Sequence, residues 1–186
     1  MERCNHRIIT GLSAVAAFML VAARFTLAAE IDGRVVGVTD GDTIVVRDSA
    51  KIRHIVRLAA IDAPESSQPF GRRSKQDLSQ MIFAKSVAIA FKRRDRWGRI
   101  VGNVFFGGKD VNLKQVIDGC AWYNPRYRYE QAVAERPLYE AAEKAARAAH
   151  RGLWADRNPV PPWKWRRVKH GSAIADSKFV NKLGVP

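Results

Sequence analysis

The chain has 186 residues, 47% of them hydrophobic, with a formal charge of +14 and a pI near 10.4. That length suits one domain with a real core plus a leader or a tail, and the apolar fraction excludes a disordered chain. The charge points to a polyanionic partner, nucleic acid ahead of an acidic membrane face.

Residues 1–29 read as a leader. Arg3 and Arg7 precede an uncharged run at 8–23, and Ala28 and Ala29 follow just ahead of Glu30. A basic n-region, an apolar h-region and a small-residue cleavage zone make a secretory signal peptide. The run is shorter than the ~20 residues that cross a bilayer comfortably, so an uncleaved anchor is the second choice. Cleavage after Ala29 puts Leu27 three places back, and cleavage after Ala28 puts Thr26 there. The leader takes three Arg and one Glu with it, so the remaining chain stays strongly basic. The expected destination is the periplasm or the medium, with no stable membrane association after the leader is removed.

Export makes cysteine usage informative. Cys4 leaves with the leader and Cys120 has no partner, so no internal disulfide is expected. Cys120 lies among Val116, Ile117, Ala121 and Trp122, the setting of a buried inert thiol. His6, His54, His150 and His170 are scattered without zinc-site spacing. Thiol nucleophiles and zinc chemistry are poor candidates.

From Ile31 the pattern is β. Val35, Val36 and Val38 make a strand, and Thr39-Asp-Gly-Asp42 a turn in which Gly41 supplies an unusual φ. Strands follow at 43–47 and, after a turn at 48–50, at 52–61, an antiparallel meander. Residues 71–84 read as a helix with Leu78, Met81 and Ile82 on one side. Strand material at 87–92 leads into the basic knot 92–99, and 100–106 is the next strand. Residues 111–119 read as a short helix closed by Gly119. The segment 122–129 interleaves Trp and Tyr with Arg, a composition for stacking on bases and gripping phosphates. Residues 130–150 read as a packing helix through Leu138, Ala142 and Ala145, stopping at Gly152. Beyond Trp154 comes Asn-Pro-Val-Pro-Pro and a basic tail, expected to be extended and partly mobile. The domain plan is a leader at 1–29, a folded domain at 30–157 and a tail at 158–186. Five short strands with a helix after the third make an α+β chain built on a small OB-type barrel.

The third strand ends in Arg57-Leu-Ala-Ala-Ile-Asp62-Ala-Pro-Glu65, where Pro64 stops the run. Ile55, Val56, Leu58 and Ile61 belong inside, whereas Arg57, Asp62 and Glu65 need partners there. On a straight strand Arg57 and Asp62 face opposite ways, so a shared site requires a bend or bulge at Ala59-Ala60. Asp42, Asp62 and Glu65 with main-chain carbonyls form an all-oxygen set suited to Ca²⁺. On the local sequence alone turn chemistry explains Asp40 and Asp42, and the carboxylates Asp62 and Glu65 at the end of the third strand shift the reading toward a site. Arg57 and Arg99 are placed to clamp a phosphate, and Glu65 to orient or deprotonate a water for in-line attack. These are the parts of a phosphodiester hydrolase.

Thr39-Asp-Gly-Asp-Thr43, Arg57-x4-Asp62-Ala-Pro-Glu65 and Asp95-Arg-Trp-Gly-Arg99 occur in that order at fitting intervals. Together they resemble the signatures of the staphylococcal nuclease (thermonuclease) family over about 33–154. The resemblance implies a five-stranded OB-type β-barrel with three helices packed on it. It also implies a Ca²⁺-dependent phosphodiesterase acting on DNA and RNA and leaving 3′-phosphate ends. By position it makes Asp42, Asp62 and the Ala63 carbonyl metal ligands, Glu65 the group that holds the attacking water, and Arg57 and Arg99 the phosphate ligands. It places nucleotide-stacking tyrosines in 122–129, with Tyr127 first and Tyr123 the fallback. Ala63 replaces a frequent Thr, at little cost if only the carbonyl is used, and Trp97 a common Tyr. The expected substrates are DNA and RNA, with single strands preferred, and the expected state is a monomer. Two other readings remain: a non-catalytic OB-fold nucleic-acid-binding module, which has no need of all five charged residues, and a leader-anchored protein whose basic face meets anionic lipid.

Overall fold

The computed structural model describes residues 29–168. The leader, apart from Ala29, and the tail beyond 168 lie outside the described residues.

The β signal resolves into eight strands: β1 (Ala29–Val38), β2 (Thr43–Asp48), β3 (Arg53–Leu58), β4 (Ile61–Asp62), β5 (Ser86–Arg94), β6 (Ile100–Phe106), β7 (Lys109–Asp110) and β8 (Trp122–Tyr123). Strand β1 pairs antiparallel with β2 and β5, β2 with β3, and β5 with β6. A parallel pairing of β3 with β6 joins the ends, so the five long strands close into a barrel and leave no open edge among themselves. Ile44, Val46, Val56, Leu58, Ile89, Ile100 and Val104 fill its interior.

Three helices pack on this barrel: α1 (Gly71–Ile82), α2 (Val111–Ile117) and α3 (Arg136–Ala148). In α1 Leu78 and Ile82 are fully buried and Met81 packs beside them, as the periodicity predicts. Helix α2 starts at an Asp110 cap that accepts from Leu113 N–H, and Gly119 beyond its end takes φ 69°. A fourth helix, α4, spans 162–168.

Several expectations change. The third strand does not run through to Ile61: it breaks after Leu58, and Ala60 takes a left-handed φ of 63° before β4 resumes. Ile55 and Ile52 lie on the outer surface, about half exposed. The long helix begins only at Arg136, after two 3-10 turns at Pro125–Glu130 and Val133–Glu135. Its buried face is Tyr139 and Ala146 with Ala142 beside them, while Leu138 is exposed. Alanines on every side gave the pattern little contrast, and the large ring of Tyr139 settled the rotation. The tail is not simply extended, since 162–168 is helical with Pro162 buried. Gly41 is absent from the positive-φ glycines, and close approach explains it instead: a Cβ there would run into Ser74 Oγ and Ala63 Cβ. Cys120 is buried and free, and burial, with Asp77 beside it, pushes its thiol well up.

Candidate active site

The break between β3 and β4 solves the alternation problem. Arg57 Nη2 donates to Ile61 O at 2.8 Å and Nη1 to Leu58 O at 3.3 Å, so the guanidinium is wrapped by the turn that carries Asp62. Leu58 N–H donates to Asp42 O at 2.8 Å, which ties the mouth of β3 to the start of β2. Ala63 N–H then donates to Asp42 Oδ2 at 2.9 Å, while Thr43 Oγ1 donates to Asp42 Oδ1. Asp42 and Asp62 are 8% and 2% exposed, so both carboxylates are held almost out of water.

Arg99 arrives by a different route. In the turn between β5 and β6, Asp95 Oδ1 accepts from the N–H groups of Trp97 and Arg99, both at 3.0 Å, and Gly98 takes φ 80°. Asp95 Oδ2 accepts from Arg99 Nε at 2.7 Å. Because β6 runs parallel beside β3 with Val56 opposite Ile100 and Arg57 opposite Val101, this turn ends beside the strand that carries Arg57.

These elements enclose one cleft of about 620 Å³ lined by Asp40, Asp42, Arg57, Asp62, Ala63, Glu65, Arg99 and Tyr127, with Trp97 and Arg166 at its sides. The sequence-derived site residues therefore meet, except Tyr123. That ring is 3% exposed and packs against Tyr139, centroids 5.7 Å apart, so it is a core residue and cannot stack on a ligand. Strand β8 buries it through the pairing of Ile61 with Tyr123. Tyr127 lies over the Arg57 guanidinium at 4.4 Å. A second cleft of about 260 Å³ shares Arg57, Arg96, Trp97, Arg99 and Tyr127 with the first and adds Arg93 and Tyr129. Within it Trp97 is 66% exposed and carries the Arg96 guanidinium over its ring at 4.1 Å.

Four residues were missed as site components. Glu130, whose side chain is 2% exposed, accepts from Ala60 N–H at 2.8 Å, pairs with Arg93 at 2.5 Å and lies 3.5 Å from Arg57 Nη1. Asn124 Nδ2 donates to Asp62 Oδ2 at 3.2 Å. Asp40 turns its carboxylate to the Asp42 N–H and lines the cleft. Arg166 of α4 pairs with Asp62 and Glu65. Only Asp40 stood inside one of the three motifs; Asn124 belongs to the Trp, Tyr and Arg segment 122–129, and Glu130 and Arg166 come from segments with no local pattern for a site.

The electrostatics are those of crowded carboxylates. Burial and the neighbouring Asp42 push Asp40 up to about 7. Burial also raises Asp62, with Asp42 adding to the rise and the Arg166 hydrogen bond opposing it. Burial lowers Arg57, but Asp42, Glu130 and Asp62 more than offset it and keep it firmly charged. An all-oxygen donor set whose members repel one another out of water fits a hard divalent cation, whose charge removes that repulsion. Among the described residues no three His, Cys, Asp or Glu side chains gather into a cage for a metal ion.

A family profile described as "Staphylococcal nuclease homologue" matches residues 55–156. An Escherichia coli protein named "Uncharacterized endonuclease" is 44% identical over 144 residues, covering 77% of this chain and 90% of its own length. A Shigella flexneri protein named "Micrococcal nuclease" is 41% identical over 170 residues, 86% of this chain and 94% of its own. "Protein ParB" of Escherichia coli is 37% identical over 177 residues, 90% of this chain and 95% of its own.

Proposed function

Because the chain belongs to the staphylococcal nuclease family, we propose that it is a Ca²⁺-dependent phosphodiesterase that hydrolyses DNA and RNA to products ending in 3′-phosphate. The observation that carries this reading is the meeting of Arg57, Arg99, Asp42, Asp62 and Glu65 on one cleft. Asp42, Asp62 and the Ala63 main-chain carbonyl would hold the ion, with water completing its shell, since side chains alone form no cage. Bound there, calcium supplies positive charge beside the scissile phosphate.

The protein's own groups do the rest. Arg57 spends part of its five donors on Leu58 and Ile61 carbonyls and offers the remainder to a phosphate oxygen. Arg99, fixed at Nε by Asp95, presents its guanidinium to the same cleft. Both stabilise the charge that grows on the phosphoryl oxygens. Glu65, 37% exposed at its side chain, takes the proton of a water that attacks phosphorus in line with the 5′-oxygen. The bond from phosphorus to that oxygen breaks, its electrons stay on the 5′-oxygen, which takes a proton from solvent and leaves as a hydroxyl, and the phosphate stays on the 3′-oxygen.

The groove of Trp97, Tyr127 and Tyr129 between Arg93 and Arg96 extends the site along a strand. Exposed rings stack on unpaired bases, so single strands are the preferred substrates. The protein works outside the cytoplasm as a monomer.

The test is cleavage of single-stranded DNA by the Glu30–Pro186 chain with Ca²⁺, with Mg²⁺ and with EGTA, the product ends being identified. Calcium-dependent cleavage leaving 3′-phosphate supports the reading. Tight binding without cleavage under any metal replaces it with a nucleic-acid-binding module.

A further inference from the structure

Helix α4 brings a cation to the carboxylates from outside the three recognised motifs. Arg166 Nη1 donates to Asp62 Oδ1 at 3.2 Å and to Glu65 Oε1 at 2.6 Å, and Nη2 donates to Asp62 Oδ2 at 2.7 Å. Both oxygens of Asp62 are thus engaged by one planar fork, the strong bidentate form of this pair. Among the described residues no other ion pair reaches Asp62.

The helix does not depend on that contact for its place. Gln68 Nε2 donates to Val160 O at 2.5 Å just ahead of it, Pro162 is buried, and Trp163 packs edge-on against Trp122 with centroids 5.7 Å apart. The Arg166 side chain itself is 38% exposed. The helix is thus held by contacts other than the Arg166 head group, which is partly exposed to solvent.

Resting on the metal-dependent reading above, we infer that Arg166 is a built-in counter-cation of Asp62 and Glu65 that a divalent metal ion must displace to load the site. A buried Asp62 beside Asp42 needs a positive partner, and Arg166 supplies one. An ion bound by Asp62 draws on the same oxygens and sets a second positive charge beside the guanidinium, so metal and guanidinium compete for the carboxylate. Helix α4 thereby sets the metal concentration at which the site fills.

The probe is Ca²⁺ alone, titrated calorimetrically without substrate into the full chain carrying its native tail. Arg166→Gln removes the competitor, and its Kd should tighten about tenfold relative to wild type, the half-exposed head group limiting the gain. Arg166→Lys should fall between, because an ammonium cannot span both oxygens. A Kd for Arg166→Gln equal to or weaker than wild type overturns the inference while leaving metal dependence intact. Calcium binding by neither protein overturns both readings. A second measurement needs no variant: the Arg166 guanidinium N–H resonances of the wild type should shift when Ca²⁺ is added, and unmoved resonances overturn the displacement.

Discussion

Glu130 lies 3.5 Å from Arg57 although 73 positions separate them in the chain, and both side chains are withdrawn from water at 2% and 9% exposure. The carboxylate also accepts from Ala60 N–H and pairs with Arg93, so it fixes the β3–β4 turn and the arginine that the turn surrounds. Removing one partner of such a group leaves the other charge buried. Glu130→Ala should cost about 3 kcal/mol in chemical denaturation and lower kcat as Arg57 loses its position. A denaturation midpoint like that of wild type would show that the pair is not holding the turn.

Glu65→Gln keeps the shape of the side chain and removes its basicity. Turnover should fall by roughly 10²–10⁴, while affinity for a single-stranded oligonucleotide stays near wild type. Filter binding and single-turnover cleavage separate the two quantities. A variant that cleaves within a few-fold of wild type would remove Glu65 from the proton transfer.

The Asp95–Arg99 pair carries a pH signature. Burial pushes the Asp95 carboxyl up, but the Arg99 hydrogen bond and the N–H groups of Arg99 and Trp97 outweigh it, and the group titrates below its ordinary 3.8. A depressed carboxyl adds stability that is fully present above 3.8 and is lost as pH falls through its lower folded value. Asp95→Asn should therefore be less stable than wild type at neutral pH, and the gap in urea midpoint should close in acid below 3.8. The same variant should lose about 10–100-fold in turnover, since Arg99 is no longer held at Nε. A stability gap independent of pH would mean that the ionised carboxylate is not what orders this turn.

Gly41 has no room for a side chain. Gly41→Ala would press on Ser74, whose hydroxyl donates to Cys120 O at 2.7 Å, and on Ala63, whose N–H holds Asp42. Overpacking of this kind costs about 1–3 kcal/mol, and calorimetric unfolding should register it together with a loss of activity. An unchanged melting temperature would show that Ser74 yields freely.

The barrel was legible because strand alternation and tight turns are local properties, and the site because its charges sit in compact motifs at strand ends. What escaped was set by partners far along the chain. Tyr123 reads as an exposed aromatic beside arginines, yet its pairing with Ile61 puts it in the core. Ile55 reads as core, yet it occupies the outward face of β3. Glu130 reads as the start of a long helix, yet it is the buried counter-ion of Arg57. Asp40 passes for turn chemistry, and it does make the turn bond to Asp42 N–H; its place in the cleft depends on Asp62 coming alongside from another strand. Arg166 looks like one more charge in a basic tail until α4 docks through Trp163. Each outcome was decided by tertiary contact rather than by local preference.

The parallel β3–β6 pairing has a kinetic consequence. Val56 lies opposite Ile100 and Arg57 opposite Val101, so Arg57 and Arg99, the proposed phosphate ligands, are brought together by the ladder that shuts the barrel. The antiparallel β1–β2, β2–β3 and β5–β6 hairpins form from near neighbours, but this seam and the β1–β5 pairing join segments separated by more than forty positions and bear the larger loop-closure entropy. A refolding chain therefore gains its hairpins before Arg57 and Arg99 are brought together. On the proposed reading activity returns only when this seam has closed, which makes it a reporter of the barrel's long-range joins rather than of its hairpins.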